Sequence, residues 1–269
     1  MLKTRLGRLT AVVIALMSML VLAGPVSADP VINERENFKL GENNAFLLVP
    51  DEAAKTKLGK PWVWYAPTLG KRHPNRTEGW MFERFHAKGI AIAGVDVGES
   101  YGNPEGRAVY QKLYEQMVKR GYSTKPVLLG RSRGGLMLYN WAAEHADCVG
   151  GIAGIYTVGN LASWPGLQHA APAYEMTADE LKENLTKHNP VDRLAPLAKS
   201  KVPIFHLHGD NDKVVPLEAN AGLLVERYKK LDGPATLEII KGGGHDMERH
   251  WFESQTLTDF VIEKALRNE

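Results

Sequence analysis

The chain has a single cysteine, Cys148, among 269 residues. No internal disulfide can form, and its place at the start of the apolar run 149–155 marks this thiol as a small hydrophobe to be buried rather than a reactive group. Charge of neither sign is in excess: 33 Lys and Arg face 31 Asp and Glu. Nucleic acid and anionic membrane surfaces are therefore not expected partners. Long apolar runs are missing except over residues 9–22. Repeats, low-complexity tracts and interdomain linkers are missing too. The remainder of the chain, beyond that run, is long enough to bury a full core as one domain.

The one apolar run comes after Lys3, Arg5 and Arg8 and is short for a membrane span. Gly24 and Pro25 end it, and Val26-Ser27-Ala28 offers small residues where a signal peptidase reads them. Residues 1–28 are thus expected to be a secretory signal cleaved after Ala28. The product, residues 29–269, is a single domain, exported to the periplasm or secreted, with no stable membrane association. No cysteine near the cleavage site could carry a lipid, and there is no twin-arginine pair. The signal holds three basic and no acidic residues, so cleavage leaves 30 basic against 31 acidic.

Short apolar runs then alternate with helical patterns. Strands are expected over 45–49, 62–66, 90–95, 127–129, 149–155, 202–207 and 236–240. Helices are expected over 80–88, 105–120, 136–145, 217–230 and 251–267. Such alternation implies a mostly parallel sheet with helices on both faces. Trp62 and Trp64 alternate on one strand and are expected in the core. Residues 156–201 break the pattern, with no strand and one well-marked helix behind the capping box Thr177-Ala178-Asp179-Glu180. An insertion here lies above the carboxyl ends of the strands, where open α/β sheets bind ligands. It reads either as a lid or substrate wall, carrying Trp164, His169 and Tyr174, or as a packed excursion.

Gly130-Arg131-Ser132-Arg133-Gly134-Gly135 stands between the strand at 127–129 and a helix. A G-x-S-x-G turn in that context is a candidate nucleophile elbow. Ser132 would take a strained backbone conformation, with Gly130, Gly134 and Gly135 giving room where helix and strand come close. The helix N-terminus beside it favours developing negative charge. The same glycines could serve an ordinary strand-to-helix turn with an incidental serine, so the rest of the chain decides. A serine needs a base and the base an orienting acid, in the order Ser, Asp or Glu, His, each in a loop after a strand. The loop after 202–207 holds Asp210 and Asp212, and the loop after 236–240 holds His245.

With these three pieces in order, the chain resembles the α/β-hydrolase superfamily, and most closely its prolyl-oligopeptidase-like and dienelactone-hydrolase-like enzymes. The resemblance spans residues 45–266 and is specific at three motifs. The loop His208-Gly209-Asp210-Asn211-Asp212-Lys213-Val214-Val215-Pro216 matches an H-G-x-x-D-x-x-V-P form, which implies that Asp212 is the acid and that Asp210 shapes the turn. The Gly243-Gly244-His245 loop implies His245 as base. Dienelactone hydrolases carry a cysteine at the elbow, so their substrate does not transfer to Ser132. His206 and His208 alternate as a metal pair might, but no third ligand has suitable spacing. His250 is expected one turn into the terminal helix, with a surface or packing role. No metal and no cofactor are called for.

Acyl transfer needs backbone N–H groups aimed at the developing oxyanion. The amide of Arg133 is one expected donor. The other belongs to the loop after 62–66; no H-G-G-G sequence is there and Pro67 has no N–H, so Thr68 or Leu69 remains, with Leu69 preferred. Arg131 and Arg133 flank the serine. Glucuronoyl esterases, whose elbow reads G-C-S-R, are similar at the second of these. Each arginine either assists the oxyanion or substrate, or pairs with a buried carboxylate and braces the elbow. Glu99 and Tyr101, on the loop after 90–95, are candidates for substrate contact or for a hydrogen-bonded turn, and Trp164 is a further substrate-binding candidate.

These residues leave three functions open. The first is an exported serine esterase acting on a small-molecule or carbohydrate ester through an acyl-enzyme. The second is a peptidase or amidase of the prolyl oligopeptidase type. The third is a non-catalytic binding protein on a hydrolase scaffold.

Overall fold

The computed structural model describes residues 35–70 and 72–267. The secretory signal expected over residues 1–28 lies outside them. Among the described residues no helix is long and apolar enough to cross a membrane.

The described strands form one open sheet of eight, in the order β1-β2-β4-β3-β5-β6-β7-β8. Strands β1 (Arg35–Leu40) and β2 (Asn43–Leu48) make a hairpin, and β2 pairs antiparallel with β4 (Ala91–Val95). The other pairings are parallel, through β3 (Trp62–Ala66), β5 (Val127–Arg131), β6 (Gly151–Ile155), β7 (Ile204–Gly209) and β8 (Ala235–Ile240). The hairpin register leaves Gly41 and Glu42 as a two-residue turn, with Gly41 at φ +61°. Strand β1 is absent from the sequence expectation. Only Phe38 and Leu40 of its six residues are apolar, and they pack on the core from the edge of the sheet.

Alternation along the strands divides the core. From β3, Trp62 and Trp64 face α2 (Pro104–Lys119), α3 (Gly134–Glu144) and α8 (Ala221–Lys230); Val63 and Tyr65 face α1 (Gly79–His86) and α9 (Gln255–Ala265). The two tryptophans are fully buried, and the Trp64 ring lies 4.7 Å from that of Trp141. Cys148 is half-buried and packs on this face as a small apolar group. Asn103 caps α2 by accepting from the Gly106 N–H at 2.8 Å.

Residues 156–201 hold no strand. Four short helices, α4 (Leu167–Ala170), α5 (Ala178–Glu183), α6 (Leu185–His188) and α7 (Ala195–Lys199), fill them, and α5 opens with the expected Thr177–Glu180 capping box. Leu161, Ala170, Tyr174 and Leu181 build a small core of their own against Leu136 and Val215. Tyr174 is buried and its hydroxyl donates to the Tyr101 carbonyl at 2.7 Å, while His169 is exposed. Most of the segment is therefore a packed layer.

Two helices start later than their patterns suggest. Residues 217–219 form a 3₁₀ turn ahead of α8, and Arg249–Trp251 another ahead of α9. Ser254 caps α9 by accepting from the Leu257 N–H, which ends the preceding turn. His250 thus sits before the terminal helix, not one turn inside it, exposed and 4.7 Å from the Trp251 ring.

The centre of β7 carries a titratable group with no access to water. His206 is fully buried, its Nε2 2.7 Å from the Tyr139 hydroxyl and its Nδ1 without a partner. Burial, with the neighbouring His208, pushes its pKa down to about 3. The unfolded chain binds this proton near pH 6.5 and the folded chain does not, so stability falls as pH drops below that value and keeps falling toward pH 3. His206 alone is expected to cost roughly 2 kcal/mol between pH 6.5 and 5. His188, lowered to about 4 by burial and by Arg107, Arg193 and Lys187, adds in the same direction. Urea unfolding at pH 7 and pH 5 measures the loss; His206→Phe should flatten it while lowering stability at both.

Candidate active site

Ser132 lies between the end of β5 and the start of α3 at φ +49°. Side chains avoid this region, at a cost of about 1–2 kcal/mol, and the surroundings hold it there. The Ser132 N–H donates to the Ile155 carbonyl at 3.0 Å, and the Ser132 carbonyl accepts from Gly135 and Val158. A methyl on Gly134 would lie 2.2 Å from the Ala66 oxygen, and one on Gly135 2.0 Å from Thr157 Cγ2. Gly130 is different from expectation: a methyl there meets Gly135 at 3.4 Å, an ordinary contact. The close passage of α3 over β3 and β6 therefore rests on the two later glycines.

The strand ends bring the three expected residues together. Ser132 Oγ is 2.9 Å from His245 Nε2, and His245 Nδ1 is 2.7 Å from Asp212 Oδ2. The Asp212 side chain is fully buried. Its Oδ1 accepts from the N–H groups of Val214 and Val215 at 2.9 and 2.8 Å, and His208 Nε2, which donates to the Val215 carbonyl at 2.8 Å, is 3.4 Å from Oδ2. Burial alone would raise the Asp212 pKa, but the hydrogen bonds from His208, His245 and Val215 hold it well below the usual carboxylate range. An ionised Asp212 fixes the proton of His245 on Nδ1 and leaves Nε2 free to take one from Ser132. Asp210 is exposed and accepts from the Gly242 N–H at 2.6 Å, tying the two loops together.

Arg131 and several residues unmarked in the sequence support this arrangement. The Tyr156 ring, at φ +35°, lies 4.5 Å from the His245 ring. Asp246 accepts from Trp251 Nε1 at 2.8 Å and anchors the histidine loop. Arg131 is buried; its Nε donates to the Tyr65 hydroxyl at 3.3 Å and its Nη1 to Met247 Sδ at 2.6 Å. Tyr65 in turn donates to Glu78 Oε1 at 2.5 Å, and Glu78, fully buried, also accepts from the Asn75 N–H and lies 3.3 Å from His73 Nδ1. Burial opposes both charges. The hydrogen bonds of His73, Tyr65 and Asn75, with the Arg131 charge, keep the Glu78 pKa low, and the oxygens of Tyr65, Tyr156 and Glu78 keep that of Arg131 high. Arg131 thus braces the elbow against a buried carboxylate through Tyr65. Tyr65 on β3 and Tyr156 just after β6 stand at the ligand edge of the sheet, and that position was the signal available for them.

A cleft of about 640 Å³ opens over Ser132 and His245, with Leu69, Arg72, Glu99 and Arg133 on its wall. Leu69 has φ +43°, and among the described residues neither its N–H nor that of Arg133 donates to a backbone carbonyl. Both are free for an oxyanion. Arg133 is paired with Glu99, and its guanidinium lies over the Trp164 ring, 4.8 Å from the centroid. Trp164 packs 5.9 Å from Tyr101, itself at φ +48°. Glu99 therefore faces the cleft, whereas Tyr101 and Trp164 do not line it and back Arg133 instead. His206 and His208 are fully buried, and their Nε2 atoms engage the Tyr139 hydroxyl and the Val215 carbonyl. The one grouping of three metal-ligating types among the described residues, Asp246, Glu248 and His250, is at the surface.

Comparison with known proteins agrees with this geometry. The chain matches the prolyl oligopeptidase family over residues 109–265, more than half of its length. No curated protein matches it. Among solved structures it is similar to a puromycin-hydrolyzing peptidase of Mycobacterium tuberculosis (TM-score 0.69, 15% identity), covering 92% of this chain and 41% of that one. A putative dipeptidyl aminopeptidase IV from Bacteroides ovatus (0.67, 14%) is covered over 36% of its length by 87% of this chain. The chain thus spans well under half of these peptidases. Est1E from Butyrivibrio proteoclasticus (0.64, 18%) is covered over 100% of its length by 87% of this chain. All three share the α/β-hydrolase fold. With an open, mostly parallel sheet, a serine at its elbow and a matching sequence model over most of the chain, the protein is a serine hydrolase that belongs to the prolyl oligopeptidase family.

Proposed function

We propose that the protein is a carboxylic-ester hydrolase working through Ser132, His245 and Asp212. The observation that carries this reading is the unbroken chain of hydrogen bonds from Ser132 Oγ through His245 to a buried Asp212, at the floor of an open cleft. In this mechanism His245 Nε2 takes the Ser132 proton as Oγ attacks the ester carbonyl. The N–H groups of Arg133 and Leu69 hold the oxyanion. Asp212 stabilises the imidazolium, which then protonates the leaving alcohol. Water, deprotonated by the same imidazole, releases the acid from the acyl-enzyme. No step calls for a cofactor.

The ester reading is preferred to the peptidase reading on size and on chemistry. Est1E is matched over its full length, while the Bacteroides and Mycobacterium peptidases are matched over 36% and 41% of theirs. An S-formylglutathione hydrolase from Agrobacterium tumefaciens is likewise matched over 95% of its length (TM-score 0.67, 16% identity). An alkoxide also leaves more readily than an amide anion, so amide cleavage depends more heavily on protonating the leaving nitrogen. The secretory signal expected over residues 1–28 favours an exported enzyme that meets small or carbohydrate-borne esters outside the cytoplasm. The test is hydrolysis of p-nitrophenyl acetate and of the matched p-nitroanilide by the wild type and by Ser132→Ala. Ester turnover that vanishes in the variant supports the reading. Faster anilide than ester turnover would transfer the assignment to a peptidase, and equal rates in both proteins would leave a binding protein.

A further inference from the structure

We infer that the preferred substrate carries a free carboxylate near its scissile ester, held by Arg133 and Arg72; this rests on the hydrolase reading above. Three guanidiniums, Arg72, Arg131 and Arg133, line the Ser132 cleft against two carboxylates, Asp96 and Glu99. Both carboxylates are already committed. Asp96 accepts from the N–H groups of Gly70 and Gly98, and Glu99 accepts from Arg133. The counter-charge of Arg131 is Glu78, which lies behind Tyr65 and off the cleft wall. With Arg131 countered by Glu78 and Arg133 by Glu99, Arg72 is the cleft guanidinium left without an ion-pair partner among the described residues, and the N-terminus of α3 adds positive character beside Ser132.

Arg133 is also prepared to bind. Glu99 holds one of its terminal nitrogens and Trp164 covers a face of its guanidinium. Its Nε and second terminal nitrogen have no acceptor among the described residues, and neither has the exposed side chain of Arg72. A guanidinium fixed by an ion pair and a ring loses little further freedom when it binds, and its free fork matches a carboxylate in two parallel hydrogen bonds. Because Arg133 follows the nucleophile directly, that carboxylate sits within a few bonds of the reacting carbonyl. A merely neutral ester uses none of this.

The experiment compares p-nitrophenyl hydrogen adipate with p-nitrophenyl methyl adipate, an ester of nearly equal size without the charge. Rates are corrected with Ser132→Ala. The wild type is expected to show a kcat/KM about tenfold higher on the charged ester, the size of one good charge-assisted contact. That ratio is expected to fall several-fold in Arg133→Gln, less in Arg72→Gln, and also in about 0.5 M salt. Melting midpoints establish that each variant is folded, and Arg72→Gln, at an exposed position, serves if Arg133→Gln is not. A wild-type ratio of one or below, or a ratio unmoved by both substitutions, overturns the inference while turnover of the methyl ester leaves the hydrolase reading standing. Hydrolysis of neither ester above the Ser132→Ala rate overturns both.

Discussion

Ser132→Ala is expected to lower kcat on p-nitrophenyl acetate by about a millionfold, leaving only what the oxyanion donors and binding supply. The fold should not suffer. Ser132 Oγ has one hydrogen bond, to His245, and the serine stands at φ +49°. Alanine keeps that strain, whereas glycine removes it. Ser132→Gly is therefore expected to be more stable than Ser132→Ala by about 1 kcal/mol, although both are inactive. Paired thermal melts and burst-phase kinetics check the two statements separately. A Ser132→Gly variant that melts below Ser132→Ala would show that the elbow is relaxed and that its tightness has another origin.

Asp212→Asn is expected to lower kcat by about ten-thousandfold with little change in KM. The argument is one of tautomers. Both N–H groups of Val214 and Val215 point at Oδ1 of Asp212, so an asparagine there must keep its carbonyl oxygen on that side. Its NH₂ then faces His245 Nδ1, which must accept, and the imidazole proton moves to Nε2, facing Ser132. The base arrives at the serine already protonated. Asp210→Asn, at the exposed neighbour that accepts from Gly242, gives the contrast: a modest effect on stability and little on kcat. Reversal of the two results would make Asp210 the acid.

The sequence exposed those parts of the molecule that obey a local rule. Seven of the strands are short apolar runs between helical patterns, and the convergence of Ser132, Asp212 and His245 comes from their places after parallel strands. Strand β1 escaped because an edge strand with two apolar residues looks like a loop. The starts of α8 and α9 escaped because apolar periodicity runs on through the 3₁₀ turns before them. Hidden from a linear reading is whatever depends on pairing across the fold. Glu78 is a charged residue that composition places at the surface, and only the tertiary structure sets it beside Tyr65, His73 and Arg131. The meeting of Arg133 with Trp164 depends likewise on where an irregular insertion packs.

The sheet order also fixes when activity can arise during folding. Ser132, Asp212 and His245 hang on β5, β7 and β8, which become neighbours only through β6 and in parallel register. Every one of these pairings closes a long stretch of chain, the slow kind of contact. Ser132 is synthesised well before Asp212 and His245, and the three residues cannot meet until β7 and β8 have joined the sheet, so a nascent chain that lacks them holds no complete Ser-His-Asp arrangement. Recovery of hydrolytic activity on refolding accordingly times the joining of β5, β6, β7 and β8 into one sheet.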